Sequence, residues 1–130
     1  MKKKMFGTVC SLLLACVPMM MSAQEKADIQ FKKKEISLGT VDSSKGKNLL
    51  VSFVFTNTSK KPLVIYKAKA TCSCTQVKSW PKQPVMPGKQ DTIKVMYVPK
   101  GQHGRFSKNI FVESNAVKDV CIVKIKGETV

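Results

Sequence analysis

The 130-residue chain predicts an all-β fold, a sandwich of two packed antiparallel sheets with about seven strands. Three observations lead there. Beyond residue 30 apolar residues recur at every second position, the period of a half-buried strand, and helical periodicity is nearly absent. Clusters of Gly, Pro, Asn, Ser and Lys punctuate these runs at short intervals, as turns do. Roughly 100 residues hold all of it, enough for one core and too few for two domains.

Each element follows from its pattern. "EISLGTV" (35–41) sets Ile36 and Leu38 on one face and is expected to break at Gly39. "NLLVSFVFTNTS" (48–59) is the strongest strand, with Leu49, Val51, Phe53 and Phe55 on one face and Leu50, Ser52, Val54 and Thr56 on the other. "SKKP" turns the chain into the long run "LVIYKAKATCSCTQV". Pro87-Gly88 suits the central positions of a type II turn, and "DTIKVMYVP" then alternates Ile93, Val95 and Tyr97 against Lys94 and Met96. After "KGQHG", Phe106, Ile110 and Val112 share a face, and Cys121, Val123 and Ile125 do so in the last strand. The regular spacing of short strands and turns is that of an immunoglobulin-like sandwich. The chain shows no internal repeat and no low-complexity tract.

The first 23 residues read differently. Lys2, Lys3 and Lys4 precede an apolar stretch of about 17 residues that ends in Ser22-Ala23, the three-part pattern of a signal peptide. Cleavage after Ala23 is expected, followed by a short polar tether (24–30) and a domain over 31–130. The apolar stretch sits at the bottom of the membrane-spanning range. Lipidation at Cys16 is the weaker alternative, because "VPMMM" after it continues the apolar segment. Either route exports the chain, to the periplasm or the outer cell surface, with no stable membrane span left after the leader is removed.

Composition narrows the function classes. The chain carries 23 basic and 8 acidic residues, a net charge of +15, and loss of the three leader lysines leaves 15 − 3 = +12. The lysines are spread along the chain except for Lys32, Lys33 and Lys34, and Arg105 is the only arginine. Nucleic-acid sites group arginines and aromatics, which this chain does not, so a solvated basic surface is expected and nucleic acid is not the partner. Catalytic machinery is equally hard to find. The only histidine, His103, falls in a turn, the acids are scattered, and no phosphate loop or dinucleotide fingerprint occurs. The chain reads as a non-enzyme. Asn57 and Ser59 in "NTS" are expected to shape a turn by local side-chain hydrogen bonds rather than to accept a glycan. Trp80 reads as an aromatic at the edge of the core.

The cysteines remain. Processing leaves Cys72, Cys74 and Cys121. On one extended strand Cys72 and Cys74 share a face about 6.6 Å apart and cannot bond without a bend, so three reduced cysteines are expected. Three readings stay open. The pair is structural packing, as for Cys121; or two thiolates for a soft ion, copper or zinc, with Met86 or Met96 as an optional third ligand; or a redox pair, for which Lys69 and Lys78 lie near in sequence.

"FKKKEISLGTV", "FVFTNTSKKPLVI", "TCSCT", "VMPGKQDTIKVMYVP", "GRFSKNIFVESNA" and "IVKIKGETV" resemble, in order, a bacterial family of exported proteins, domain of unknown function 1573. The resemblance covers nearly all of residues 31–130. It implies an immunoglobulin-like sandwich similar to the ciliary and major-sperm-protein binding modules, in exported or lipid-anchored proteins of bacteria such as Bacteroidetes. The family's usual Cys-Gly-Cys is Cys72-Ser73-Cys74 here. No activity is implied. The expected work is non-catalytic binding of a protein partner in the cell envelope, without a cofactor; a strand edge suits it, because an edge accepts an added strand. A Cys-x-Cys metal or thiol-redox protein is the alternative.

Overall fold

The structure is a computed structural model that describes residues 26–130. The expected signal peptide, its expected cleavage point and Cys16 lie outside the described residues. Eight strands follow in order: β1 (Ile29–Phe31), β2 (Glu35–Val41), β3 (Leu49–Asn57), β4 (Ile65–Ala70), β5 (Thr75–Ser79), β6 (Gln90–Tyr97), β7 (Gly104–Ser114) and β8 (Val120–Thr129). They form two four-stranded sheets, ordered β1-β3-β6-β5 and β2-β8-β7-β4.

The alternation read from the sequence is what closes the sandwich. Phe53 and Phe55 of β3, Ile93 and Val95 of β6, Ile110 and Val112 of β7, and Val123 and Ile125 of β8 are all fully buried between the sheets. Phe31 of β1 packs its ring against that of Phe55, with centroids 5.8 Å apart. The register places Phe53 opposite Ile93 and Ile110 opposite Val123, so each sheet presents a continuous apolar inner face.

Four expectations need correction. Residues 27–30 are no tether. Ala27 is buried and bridges Ala116, and Ile29 starts a short ladder with Asn57, because this polar segment still supplies apolar residues at alternate positions. The sheets are not purely antiparallel, since β2 runs parallel to β8. Gly39 does not end its strand. It adopts a positive φ of 66° and absorbs a register shift between Ser37 and Thr40, after which pairing resumes at Thr40 and Val41. The long run 63–77 is two strands, with β4 in one sheet and β5 in the other. With one strand gained at the start and one run divided, the six apolar runs quoted from the sequence become eight strands, one more than the seven expected.

Candidate functional site

Because β4 and β5 belong to different sheets, the chain crosses the sandwich between Ala70 and Thr75. Residues 71–74 make that crossing. Thr75 N donates to Cys72 O at 3.0 Å and closes a tight turn, while Val98 N donates to Cys74 O at 2.7 Å and ties the turn to the end of β6. The bend brings the Cys72 and Cys74 Cα atoms to 5.2 Å, and their sulfurs are joined in a disulfide. The expectation of three reduced cysteines fails for a simple reason. The pair lies in a turn, not on a strand, and the shortened separation falls within disulfide reach. Ser73 has no positive φ, so this turn needs no glycine between the two cysteines.

The two sulfurs have unequal surroundings. Cys74 is buried, at 5% exposure, in a small cluster with Val41 and the fully buried Tyr97; Cys72 is half-buried at the rim of the same cluster. Cys74 N donates to Cys72 Sγ at 3.3 Å, and the Thr75 hydroxyl lies 3.7 Å from Cys74 Sγ. Beneath them the Tyr97 ring stacks on Phe106 at 4.3 Å, and Tyr97 Oη shares a buried hydrogen bond of 2.8 Å with Thr129 Oγ1. Phe106 in turn covers Gly127, where a Cβ would lie 2.8 Å from both the ring and the Gly39 carbonyl oxygen. Glycine is therefore required there for close approach.

As a staple the bond does little. A loop of three residues removes little unfolded-state entropy, about 1.6 kcal/mol by the chain-entropy relation, against about 3 for a 15-residue loop. It joins no distant elements.

The other residues singled out in the sequence are scattered. Met86 is exposed in the Met86–Lys89 turn, where Gly88 has a φ of 76° and Lys89 N donates to Met86 O at 3.0 Å, so the expected type II turn is there. Met96 pairs with Leu50 and Gln76 in its sheet, next to the inward-facing Tyr97. Lys69 lies across from Phe111 in the β4–β7 ladder, and Lys78 Nζ donates to Gln76 Oε1 at 2.9 Å. Among the described residues no three His, Cys, Asp or Glu side chains gather. His103 is exposed in its turn. Trp80 is half-buried against the core, with Lys82 Nζ 3.2 Å above its ring. Cys121 is a free, half-buried thiol packed against the main core, and burial pushes its pKa up.

Asn57 is fully buried and holds its turn as expected. Its amide nitrogen donates to Lys61 O at 2.7 Å and Val85 O at 2.8 Å, and its oxygen accepts from Ser59 N at 3.0 Å and Ser59 Oγ at 2.6 Å. Sequence reasoning missed a second surface. On the outer face of β7 and β8, Phe111 lies opposite Ile122, and Val120 follows two residues before, with Ile122 49% and Val120 46% exposed. The signal was present: "IFV" and "VCIV" are apolar at consecutive positions, so they cannot hide every side chain inward.

Two sheets with inward alternation, one of them holding the parallel β2–β8 pair, make an immunoglobulin-like sandwich. The chain belongs to the family described as "Protein of unknown function (DUF1573)", whose pattern it matches over residues 29–129. Solved structures agree on the fold. A protein of unknown function from Porphyromonas gingivalis W83 is 13% identical with a TM-score of 0.68, the match covering 78% of this chain and 46% of that one. The PapD-like domain 7 of human CEP192 is 11% identical with a TM-score of 0.59, covering 81% and 87%. The secreted serine protease VesC of Vibrio cholerae is 9% identical with a TM-score of 0.62, covering 78% and 23%. The chain thus spans about half of the Porphyromonas protein and a quarter of the protease. Likeness at these identities shows the fold alone. No curated protein matches the chain in sequence. Among the described residues no helix is long and apolar enough to cross a membrane.

Proposed function

We propose that the protein is an exported, non-catalytic binding module of a bacterial envelope that docks another protein on the outer face of β7 and β8. The observation that carries this reading is the outer-face apolar ladder of exposed Val120 and Ile122 with half-buried Phe111. Lys69 continues the Phe111 row, Lys67 continues the Glu113–Val120 row, and Lys124 follows Ile122 along the same face. With Glu113 opposite Val120 and Lys124 paired to Glu35, the apolar centre has a rim of mixed charge, which fits a protein surface with an apolar centre and a mixed-charge rim. Export rests on the leader-like residues 1–23, and the fold is one that binding modules share.

Mass spectrometry of material co-purified from the native envelope, with and without crosslinking, tests it. One protein partner should appear with the wild type and be lost in Ile122→Glu, while the thermal midpoint stays unchanged. Retention of every partner by that variant would refute the docking face. Stoichiometric copper or zinc that disappears in Cys72→Ser/Cys74→Ser would instead make the protein a metal carrier, acting through the reduced pair.

A further inference from the structure

We infer that the Cys72–Cys74 turn is a thiol–disulfide exchange centre, with Cys72 as the sulfur that a partner attacks, which accepts two electrons from a dithiol of another exported protein. The geometry separates the two sulfurs by role. Cys72 is half-buried at the rim and the more accessible of the two, whereas Cys74 is buried against Tyr97 and Val41. Each sulfur also has a neighbour able to receive it when the bond opens. The backbone N–H of Cys74 points at Cys72 Sγ, 3.3 Å away, and the Thr75 hydroxyl stands 3.7 Å from Cys74 Sγ. Hydrogen bonds to a thiolate stabilise the charged form and make it a better leaving group.

The exchange balances as follows. A partner thiolate attacks Cys72 Sγ, a new S–S bond forms to the partner, and the Cys72–Cys74 bond breaks with its electron pair going to Cys74. Cys74 takes a proton. The partner's second thiol, as thiolate, then attacks its own first sulfur and releases Cys72 as a thiolate facing the Cys74 N–H, and Cys72 takes the second proton from solvent. The partner dithiol has lost two electrons and two protons to become a disulfide, and the pair in this chain has gained them as two thiols.

Two features make the bond suited to opening. It links residues two apart within one turn, so its loss detaches no strand from another. The turn is held independently by the Thr75–Cys72 and Val98–Cys74 backbone hydrogen bonds. Cys121, half-buried like Cys72, packs against the main core, is not disulfide-bonded, and burial disfavours its thiolate. This inference does not depend on the docking face of β7 and β8.

The test uses the full-length oxidised protein and a reduced peptide containing Cys-x-x-Cys. One peptide disulfide should form per chain in a single turnover, with Cys72 and Cys74 becoming alkylatable together and far-ultraviolet dichroism unchanged. In Cys74→Ser, oxidised glutathione should form an adduct on Cys72 at least about tenfold faster than on Cys121, as expected for an accessible, stabilised thiolate. Cys74→Ala provides the same readout should the serine variant not fold. A peptide that stays reduced, or a bond that opens only when the dichroism signal is lost, would overturn the proposal. So would an adduct that forms no faster on Cys72 than on Cys121.

Discussion

The two ends of the sandwich are closed by different chemistry. At one end buried amides hold the loops. Asn57 satisfies all four of its hydrogen-bonding positions on Lys61, Val85 and Ser59, while Asn115 accepts from Val64 N at 2.8 Å and donates to Pro62 O at 3.1 Å. These bonds tie together segments far apart in sequence. At the other end, the Tyr97–Phe106 stack, the Tyr97–Thr129 hydrogen bond and the Gly39–Gly127 approach do the closing. The disulfide sits on that end without bracing it. A bond that holds nothing distant is free to open, whereas an amide that holds two carbonyls and a loop in place is not. Side-chain bracing is concentrated at the asparagine end, and the proposed exchange centre sits at the cysteine end.

The first way to break this comparison is to cut the core that both ends share. Phe53→Ala should cost roughly 3–5 kcal/mol, read by urea unfolding of the two proteins, because the ring is fully buried opposite Ile93. A loss below about 1 kcal/mol would show that β3 does not face inward as described.

Asn57→Ala tests the asparagine end alone. It removes one donor each from the Lys61 and Val85 carbonyls, which keep Ser59 Oγ and Leu63 N as partners, and frees the Ser59 turn. A net hydrogen bond is worth about 0.5–1.5 kcal/mol, so the loss of two donated and two accepted bonds places the expected effect at about 3 kcal/mol. The same unfolding experiment reads it. If the loss were smaller than that from opening the disulfide, the assignment of bracing to the asparagine end would be wrong.

Much of this was legible beforehand, and the physical reason is period two. Phe53, Phe55, Ile93, Val95, Ile110, Val112, Val123 and Ile125 were placed inward by alternation alone, since a strand of an antiparallel sandwich leaves no other register that buries them. Asn57 was legible because an Asn-x-Ser after a strand has a local reason to turn. The cysteine turn was not legible. "YKAKATCSCTQV" keeps β-forming residues through the point where the chain changes sheets, so nothing local marks the bend that sets Cys72 and Cys74 within bonding reach. That crossing is imposed by sheet order, a long-range property. Gly39 misled for the opposite reason. Its local break signal is real, but the parallel pairing of β2 with β8 carries the strand across it.

Gly127→Ala sharpens the cysteine end. The added methyl meets the Gly39 carbonyl oxygen and the Phe106 ring at 2.8 Å, and the former is backbone that cannot swing aside. Overpacking of this kind costs typically about 1–3 kcal/mol. The loss should appear with the disulfide intact and be accompanied by a changed near-ultraviolet signal from the Tyr97–Phe106 stack. An unchanged midpoint would mean that β2 yields and that the close approach does not brace this end.

The smallest effect should come from the disulfide itself. Cys72→Ser/Cys74→Ser removes a three-residue loop closure, at most about 1.6 kcal/mol of unfolded-state entropy. It leaves in place the Thr75–Cys72 and Val98–Cys74 backbone bonds, which need no side chain. The variant should therefore fold, with a midpoint lowered by less than in Asn57→Ala and a near-ultraviolet spectrum close to the wild type. Thiol counting under denaturing, non-reducing conditions gives the companion measurement on residues 26–130. The wild type should show one free thiol, Cys121, and it should react slowly in the native state because burial raises its pKa. Raising the pH through the thiol range should speed that reaction, since only the thiolate attacks. A double variant that fails to fold would move the bracing role to the sulfurs and reverse the comparison between the two ends.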